Sequence, residues 1–377
     1  MHHLVTIFGT RPEAVKLCPL CLLLKESSTL RNTVLLSGQH TALTDRVLES
    51  FSLTPDYRLP PPSLRAPLAK RTAALFSSIA EVLSSLRPSG VIVHGDTATA
   101  YAAATASFLH RIPVFHVEAG LRSKSLAAPF PEEYNRRAIS LVSTLDFAPT
   151  DAARENLLRE GKPDDRIFVT GNTVVDALRY TVTERFDRPI LRFTEGRRIV
   201  LFTVHRRENG GEPMRRIFSA VRRLAQINPD LAIICPVHHS PPVRQIVQEM
   251  FSGSGREILF TEPLDVVTFH NLLARSSLVL TDSGGLQEEA PTLGVPVVLL
   301  RETTERPEGI AEGLVRMVGS DEEAIISAAT AALAEDKARG GHRTPRSLYG
   351  DGYASRRICD EMEKFFKENG GAEKETC

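Results

Sequence analysis

Apolar residues gather along this chain in short blocks, and polar or glycine-rich clusters follow nearly every block. Leu4–Phe8, Thr33–Leu36, Val91–Val93 and Ile112–Phe115 are short and mostly β-branched or aliphatic, the pattern of strands buried on both faces of a parallel sheet. Leu68–Leu86 is predicted as the helix that leads into the third of these blocks, after the loop marked by Pro60-Pro61-Pro62. Ser140–Pro149 and Ile167–Thr170 predict further strands, with a helix over Asp151–Glu160 capped by Thr150 or Asp151. Strands alternating with helices through Pro149 make a doubly wound sheet.

The same alternation restarts downstream. Arg198–Val204, Leu231–Cys235, Glu257–Phe260, Leu278–Thr281 and Val295–Leu300 read as strands, with a helix beginning near Met214. A final amphipathic helix is predicted near Arg356–Lys367. The chain is therefore expected to be α/β, with two Rossmann-like doubly wound domains facing a central cleft. The boundaries expected are 1–170 for the first domain, 171–352 for the second, 353–368 for the C-terminal helix and 369–377 for a disordered tail.

Ligands of open α/β sheets bind beyond the carboxyl ends of the strands, so the polar clusters carry the chemistry. Val91–Val93 runs into His94-Gly95-Asp96, and Ile112–Phe115 into His116-Val117-Glu118. Glu132 and Glu133 follow on a segment introduced by Pro131. Several carboxylates converging with two histidines suit proton transfer at carbon. Asp96 or Glu118 taken singly is equally well read as a loop carboxylate capping the next helix.

In GTRPEAVK, Gly9 permits a tight turn, Thr10 can cap and Pro12 suits the first helical position. Free backbone N–H groups with Arg11 and Lys16 make a ready anion site, although for this stretch taken alone an ordinary strand-to-helix turn is the better reading. Its glycine spacing matches neither the dinucleotide fingerprint nor the Walker pattern. Asp282–Glu289 is the strongest motif of the second half. Ser283-Gly284-Gly285 lets backbone approach an anion, and Glu288 or Glu289 can accept both hydroxyls of a ribose. N–H donors for phosphate beside a carboxylate for the sugar is the chemistry of a nucleoside diphosphate.

Composition narrows the partners. The 377 residues include 46 basic and 46 acidic side chains, and no basic patch dense enough for a nucleic-acid backbone occurs. No stretch is long and apolar enough to span a bilayer, and MHHLVTIFGTRPE has no secretory pattern, so a cytoplasmic enzyme is expected. The five cysteines form no disulfide-like framework. Cys18 and Cys21 share a C-x-x-C spacing inside an apolar helix and read as core thiols rather than metal ligands.

GTRPEAVK, HGDTATA, HVEAGLRS, PFPEEYNR, GNTVVDAL, HRREN, TDSGGLQEEAPTLGVPVV, RETTERPE and YGDGYAS occur in this order over nearly the whole chain. Together they resemble non-hydrolysing UDP-N-acetylglucosamine 2-epimerase. The resemblance implies the glycosyltransferase-B architecture, with the C-terminal helix crossing back to the first domain. It also implies reversible conversion of UDP-N-acetylglucosamine to UDP-N-acetylmannosamine through anti elimination of UDP to 2-acetamidoglucal and re-addition. No cofactor and no metal are implied, and a homodimer is.

By position in the matching motifs, the resemblance implies Asp96, Glu118, Glu132 and His205 as the catalytic set. It implies Arg11, Lys16, Ser283, Gly284, Gly285 and Arg306 around the diphosphate, Glu289 on the ribose, and Phe269 with the Leu264 backbone on uracil. It further implies a second UDP-N-acetylglucosamine site, acting as activator, at Gln39, His40, Arg65, Glu132, Arg206 and His238. The chain departs from the family near that second site, in PPPSLRAPL, in HTAL and at Ser240. Three other readings compete: a hydrolysing epimerase releasing N-acetylmannosamine and UDP, a 2-epimerase of a UDP-diacetamido uronic acid, and a non-catalytic UDP-sugar sensor.

Overall fold

A computed structural model of the chain describes residues 1–39, 41–61, 63, 66–123, 125–127, 129–251, 258–340 and 344–369. His40 and Arg65 of the expected second nucleotide-sugar site lie outside the described residues, as does the expected tail from 370 onward. The chain forms two compact units, Met1–Tyr180 with Tyr349–Cys377, and Thr181–Leu348. The junctions fall at 180/181 and 348/349 instead of the expected 170/171 and 352/353. The physical reason is a cap: the buried Asp176 carboxylate accepts hydrogen bonds from the Ala354 and Ser355 N–H groups, at 3.1 and 2.7 Å, at the start of the C-terminal helix. The helix Thr173–Thr181 is thereby tied to the first unit.

The first unit holds seven strands: β1 (His2–Phe8), β2 (Leu30–Leu36), β3 (Tyr57–Arg58), β4 (Gly90–His94), β5 (Val114–Val117), β6 (Leu145–Ala148) and β7 (Ile167–Val169). They pair in parallel in the order β3-β2-β1-β4-β5-β6-β7. β4 and β5 are buried along their whole length, which their near-continuous apolar sequence requires. The helix Ala98–Leu109 packs beside them through Ala100, Ala102, Ala103, Ala104 and Ala106, all fully buried. Alanine suits this place because it forms helix readily and lets backbones approach closely. The C-terminal helix Ala354–Asn369 lies against the helix Arg11–Glu26, with Phe366 stacked on His2 at 4.3 Å between ring centroids.

The strand expected over Ser140–Pro149 is shorter. Glu132–Val142 is helical, burying Glu133, Asn135, Arg136, Ile139 and Ser140 at helical spacing, and β6 begins only at Leu145. The apolar run AISLV resembles a strand because the polar residues on the buried face of this helix are satisfied by partners distant in sequence. The next helix is capped by Thr150, whose hydroxyl accepts from the Ala153 N–H at 3.2 Å.

The second unit repeats the plan with six strands: β8 (Arg198–Thr203), β9 (Leu231–Pro236), β10 (Ile258–Thr261), β11 (Ser276–Thr281), β12 (Val297–Leu299) and β13 (Val315–Met317). Their order is β10-β9-β8-β11-β12-β13, again all parallel. Phe202, Phe218, Leu224, Ile233 and Leu280 lie in its core. In each sheet the strand order reverses once, between β1 and β4 and between β8 and β11. Beyond the carboxyl ends at such a switch point, neighbouring loops diverge and leave room for a ligand. No helix among the described residues is long and apolar enough to cross a membrane.

Candidate active site

At the switch point of the first unit the chain leaves β1 through Gly9. A Cβ there would lie 1.9 Å from Ser37 Oγ and 2.9 Å from Thr99 Oγ1, so only glycine fits. The buried Glu13 carboxylate then gathers the two loops. It accepts from the Gly9 and Thr10 N–H groups at 3.1 and 2.8 Å, from Thr10 Oγ1 at 2.8 Å and from Thr97 Oγ1 at 2.6 Å. Burial pushes its proton affinity up, and these bonds oppose that rise.

Thr97 caps the helix Ala98–Leu109 by accepting from the Ala100 N–H at 3.0 Å. Asp96 is thus free of the capping role that its position also allowed. Its carboxylate meets Arg136 Nη2 at 2.5 Å, and its carbonyl accepts from Asn135 Nδ2 at 2.8 Å. Glu132 begins the same helix, half-buried. Glu133 is instead fully buried, accepting from the Ser123 N–H at 2.8 Å, Arg137 Nε at 2.8 Å and Arg136 Nη1 at 3.1 Å. Glu133 therefore shapes the loop and holds Arg136, which in turn holds Asp96.

Glu118 has a left-handed backbone, φ +61°, which no β-carbon-bearing residue adopts without cost, on the order of 1–3 kcal/mol. Its carboxylate forms an ion pair with Lys16 and accepts from Asn172 Nδ2 at 2.7 Å. His94 Nε2 lies 3.8 Å from the same oxygen, Oε2. Lys16, expected on the glycine turn with Arg11, is buried inside the helix Arg11–Glu26 with its ammonium on Glu118. Arg11 stays exposed at the turn. Gln39 Oε1 accepts from Thr99 Oγ1 at 3.0 Å. Below the cluster, His116 Nε2 donates to the Gly95 carbonyl at 2.8 Å, and its Nδ1 lies 3.5 Å from Asp146. Burial alone would raise the proton affinity of Asp146, but His116 and Lys162 outweigh burial and lower it.

At the switch point of the second unit, Asp282 at the end of β11 is fully buried and receives the chain that follows β8. Its carboxylate accepts from the His205 N–H at 3.0 Å, the Arg206 N–H at 2.8 Å and Asn209 Nδ2 at 3.0 Å. His205 Nδ1 lies 3.0 Å from the other oxygen. Burial opposes ionisation of Asp282, but the His205 contacts and the backbone donors win, holding the carboxyl below the usual range. A carboxylate on Nδ1 fixes the imidazole tautomer and leaves Nε2 for other chemistry. His238 is exposed and stacks on His205 at 5.3 Å.

Two guanidinium groups converge on Gly284. A Cβ there would lie 3.0 Å from Arg306 Nη1 and 3.3 Å from Arg206 Nη2. Arg306 is anchored by the buried Glu288 and by Glu305 at 2.7 Å, and Arg301 joins Glu305 to Glu208 at 3.1 and 2.8 Å. The two acidic residues that the sequence left as alternatives are thus separated. Glu288 is a buried partner of Arg306, while Glu289 lies beside Gly285 with an oxygen 3.5 Å from His270 Nε2. His270 Nδ1 is in turn 2.7 Å from Thr181 Oγ1. Ser283 is half-buried, with its N–H on Thr281 Oγ1 at 2.9 Å. Leu264 and Phe269 are partly buried against the core that contains Leu272 and Leu286.

Arg136, Asn172, His270 and Asp282 were not singled out from the sequence as site residues. Asp282 alone had a readable signal, an acid between a strand and a Ser-Gly-Gly turn. No cluster of three or more His, Cys, Asp or Glu side chains that could hold a metal ion occurs among the described residues.

Two parallel α/β units, each with its polar groups gathered at the switch point, define a two-domain protein of Rossmann-like build. A sequence profile for UDP-N-acetylglucosamine 2-epimerase matches residues 23–363. The Bacillus subtilis UDP-N-acetylglucosamine 2-epimerase is 45% identical over 358 residues, covering 95% of this chain and 94% of its own. The UDP-GlcNAc 2-epimerase of Neisseria meningitidis bound to UDP-GlcNAc superposes with a TM-score of 0.90 at 39% identity, covering 96% of this chain and all of that one. The S. aureus MnaA–UDP structure gives a TM-score of 0.91 at 41% identity over 97% of each chain. The chain belongs to the UDP-N-acetylglucosamine 2-epimerase family.

Proposed function

We propose that this protein interconverts UDP-N-acetylglucosamine and UDP-N-acetylmannosamine without net hydrolysis, by anti elimination of UDP and re-addition to the 2-acetamidoglucal. The observation that carries this reading is the set of prepared acid/base groups, Glu118 with Lys16 and Asp96 with Arg136 in one unit and His205 with Asp282 in the other. Full-length relatives carry the name UDP-N-acetylglucosamine 2-epimerase, and those of Neisseria meningitidis and Methanocaldococcus jannaschii bind UDP-GlcNAc.

The hydrogen on sugar carbon 2 is weakly acidic because no carbonyl adjoins it. Removing it requires a strong positioned base together with a stabilised leaving group. Asp96 and Glu118 serve as the proton-transfer groups near carbon 2, and Glu132 joins them from the start of its helix. Arg136 and Lys16 orient the first two through their ion pairs. His205, with Nδ1 on Asp282, directs Nε2 to the departing phosphate. Arg306 and Arg206 beside Gly284, with Ser283, Gly285 and Arg11, offset the charge that develops on UDP as the carbon–oxygen bond breaks. Glu289 accepts the ribose hydroxyls, and Phe269 with the Leu264 backbone receives uracil. In this reading Lys16 acts on Glu118 rather than directly on the diphosphate. The protein functions as a homodimer in the cytoplasm and needs no cofactor. Gln39, His40, Arg65, Glu132, Arg206 and His238 supply the activating second site.

The test is proton NMR of purified protein with UDP-N-acetylglucosamine in deuterated water. UDP-N-acetylmannosamine carrying deuterium at carbon 2, with little free sugar, is the expected result. Free N-acetylmannosamine with UDP would instead assign hydrolysing chemistry. UDP binding with neither product would overturn the reading in favour of another UDP-sugar or of a sensor.

A further inference from the structure

The Glu118 carboxylate must change protonation during turnover if it serves carbon 2, yet two of the three neighbours described around its Oε2 can only donate. The Lys16 ammonium has no acceptor, and Asn172 turns its amide nitrogen toward Glu118 because its oxygen is used by the Val174 N–H at 3.0 Å. These donors favour the carboxylate and oppose the carboxyl. A protonated Glu118 carries an O–H group that, in a buried place, needs an acceptor of its own. The third neighbour is His94. It is 4% exposed, its Nε2 lies 3.8 Å from Oε2, and among the described residues that nitrogen has no hydrogen-bond partner.

We propose that His94 is the positioning residue of Glu118, accepting the O–H of the protonated carboxyl at Nε2 while the glycal is bound. This rests on the epimerase reading above and deepens it, whichever face of carbon 2 Glu118 serves. The atoms balance simply. As the carbon–oxygen bond to UDP breaks, the carbon–hydrogen electron pair becomes the glycal double bond, and the proton goes to Glu118. The carboxyl then turns its O–H to His94 Nε2, which lends a lone pair without taking the proton away. When UDP adds back to give the epimer, the proton reaches the opposite face of carbon 2 from the other acid/base group, and the Glu118 proton is released to solvent; the reverse reaction runs the same steps backwards. The role requires an uncharged imidazole, and the site provides one. Burial is the largest influence on His94; Lys16 and His116 also disfavour its charged form, and Glu118 alone among the charged neighbours favours it, leaving the pKa at about 3.

The test compares wild type, His94→Gln and His94→Phe. Carboxyl-13C NMR of glutamate-labelled protein, with the Glu118 signal assigned from Glu118→Gln, follows the titration of that carboxyl. His94→Phe is expected to weaken its proton affinity about tenfold, the worth of one buried hydrogen bond. The same variant should lower kcat about 30-fold or more with KM and the Kd for UDP within threefold, as loss of an acid–base function does. His94→Gln, whose carbonyl oxygen can accept, should restore most of both. An unchanged Glu118 titration in a folded His94→Phe protein would overturn the proposal. Should that variant fail to fold, histidine-15N spectra of wild type decide: His94 Nε2 must shift at the same midpoint as the Glu118 carboxyl, and independent midpoints reject the coupling. Both NMR measurements read His94 even if wild type turns over no UDP-N-acetylglucosamine, in which case the epimerase reading alone has failed.

Discussion

Lys16 and Glu118 form a buried ion pair across 102 residues of sequence, joining the first helix to the left-handed residue after β5. Neither member is buried cheaply without the other. Removing one partner of such a pair leaves an uncompensated charge and typically costs about 3–5 kcal/mol. The Lys16→Met protein is expected to lose about 3 kcal/mol of stability, measured by urea unfolding at pH 7.5. Lys16→Met, Glu118→Gln should recover a large part of that loss, because no charge is then left unpaired. Equal losses in the single and double variants would refute the coupling.

Asp96 and Arg136 make the second prepared pair, at 2.5 Å. Asp96→Asn keeps the shape and loses the basic oxygen. Deuterium incorporation at carbon 2 is expected to fall by at least about 10²-fold, with the UDP affinity changed less than threefold. Isothermal titration with UDP and the NMR exchange assay check the two halves separately. Retained exchange would remove Asp96 from the proton-transfer set.

The Asp282 contact with His205 yields a kinetic prediction. Asp282→Asn puts an amide where the imidazole Nδ1 and two backbone N–H groups need an acceptor. A misplaced tautomer is expected to lower kcat by about 10²-fold or more. Asp282 also contributes to the pH dependence of stability. Its proton affinity is lowered on folding, so its stabilisation is present above the unfolded carboxyl pKa and fades as pH falls through the lower, folded value. Acid unfolding of Asp282→Asn, compared with wild type, should lack that component.

His94 acts in the same direction over a higher window. Its pKa moves from 6.5 to about 3 on folding, so between those values the unfolded chain holds a proton that the folded chain excludes. Stability must therefore fall as pH falls from 6.5 toward 3. Relative to wild type, His94→Gln is expected to lose about 2 kcal/mol less between pH 7 and pH 5, read from urea midpoints at the two pH values. Parallel pH profiles would contradict a buried neutral imidazole.

Gly284 is the position where the second unit tests its proposed phosphate contact. A methyl group there meets Arg306 Nη1 at 3.0 Å and Arg206 Nη2 at 3.3 Å, pushing at both guanidinium groups. Gly284→Ala is expected to weaken UDP binding by about tenfold while shifting Tm by only a few degrees. An unchanged Kd for UDP would place the diphosphate elsewhere.

Much of this was legible before any coordinates. Short β-branched blocks such as Val91–Val93 can be satisfied only in a parallel sheet covered on both faces, and their polar endings mark the functional edge. Asp96, Glu118, His205 and the Ser283-Gly284-Gly285 turn were read from that edge, and motif order along the chain was sufficient to name the family. Ser140 was misassigned to a strand because its helix buries polar residues, whose partners no local pattern reveals. The two short strands β3 and β13 escaped for a related reason, as they contribute only two and three residues to a sheet edge.

What local pattern could not convey was pairing. Whether Thr97 or Asp96 caps the next helix depends on Arg136, 40 positions or so away, claiming the carboxylate. Whether Lys16 serves the turn or Glu118, and whether Glu288 or Glu289 pairs with Arg306, likewise rests on which long-range partner reaches each charge. Apolar periodicity is a local property, written into the chain because burial rewards each residue nearly independently. The state of a carboxylate depends on the few donors within hydrogen-bond reach, and only tertiary packing brings those donors together.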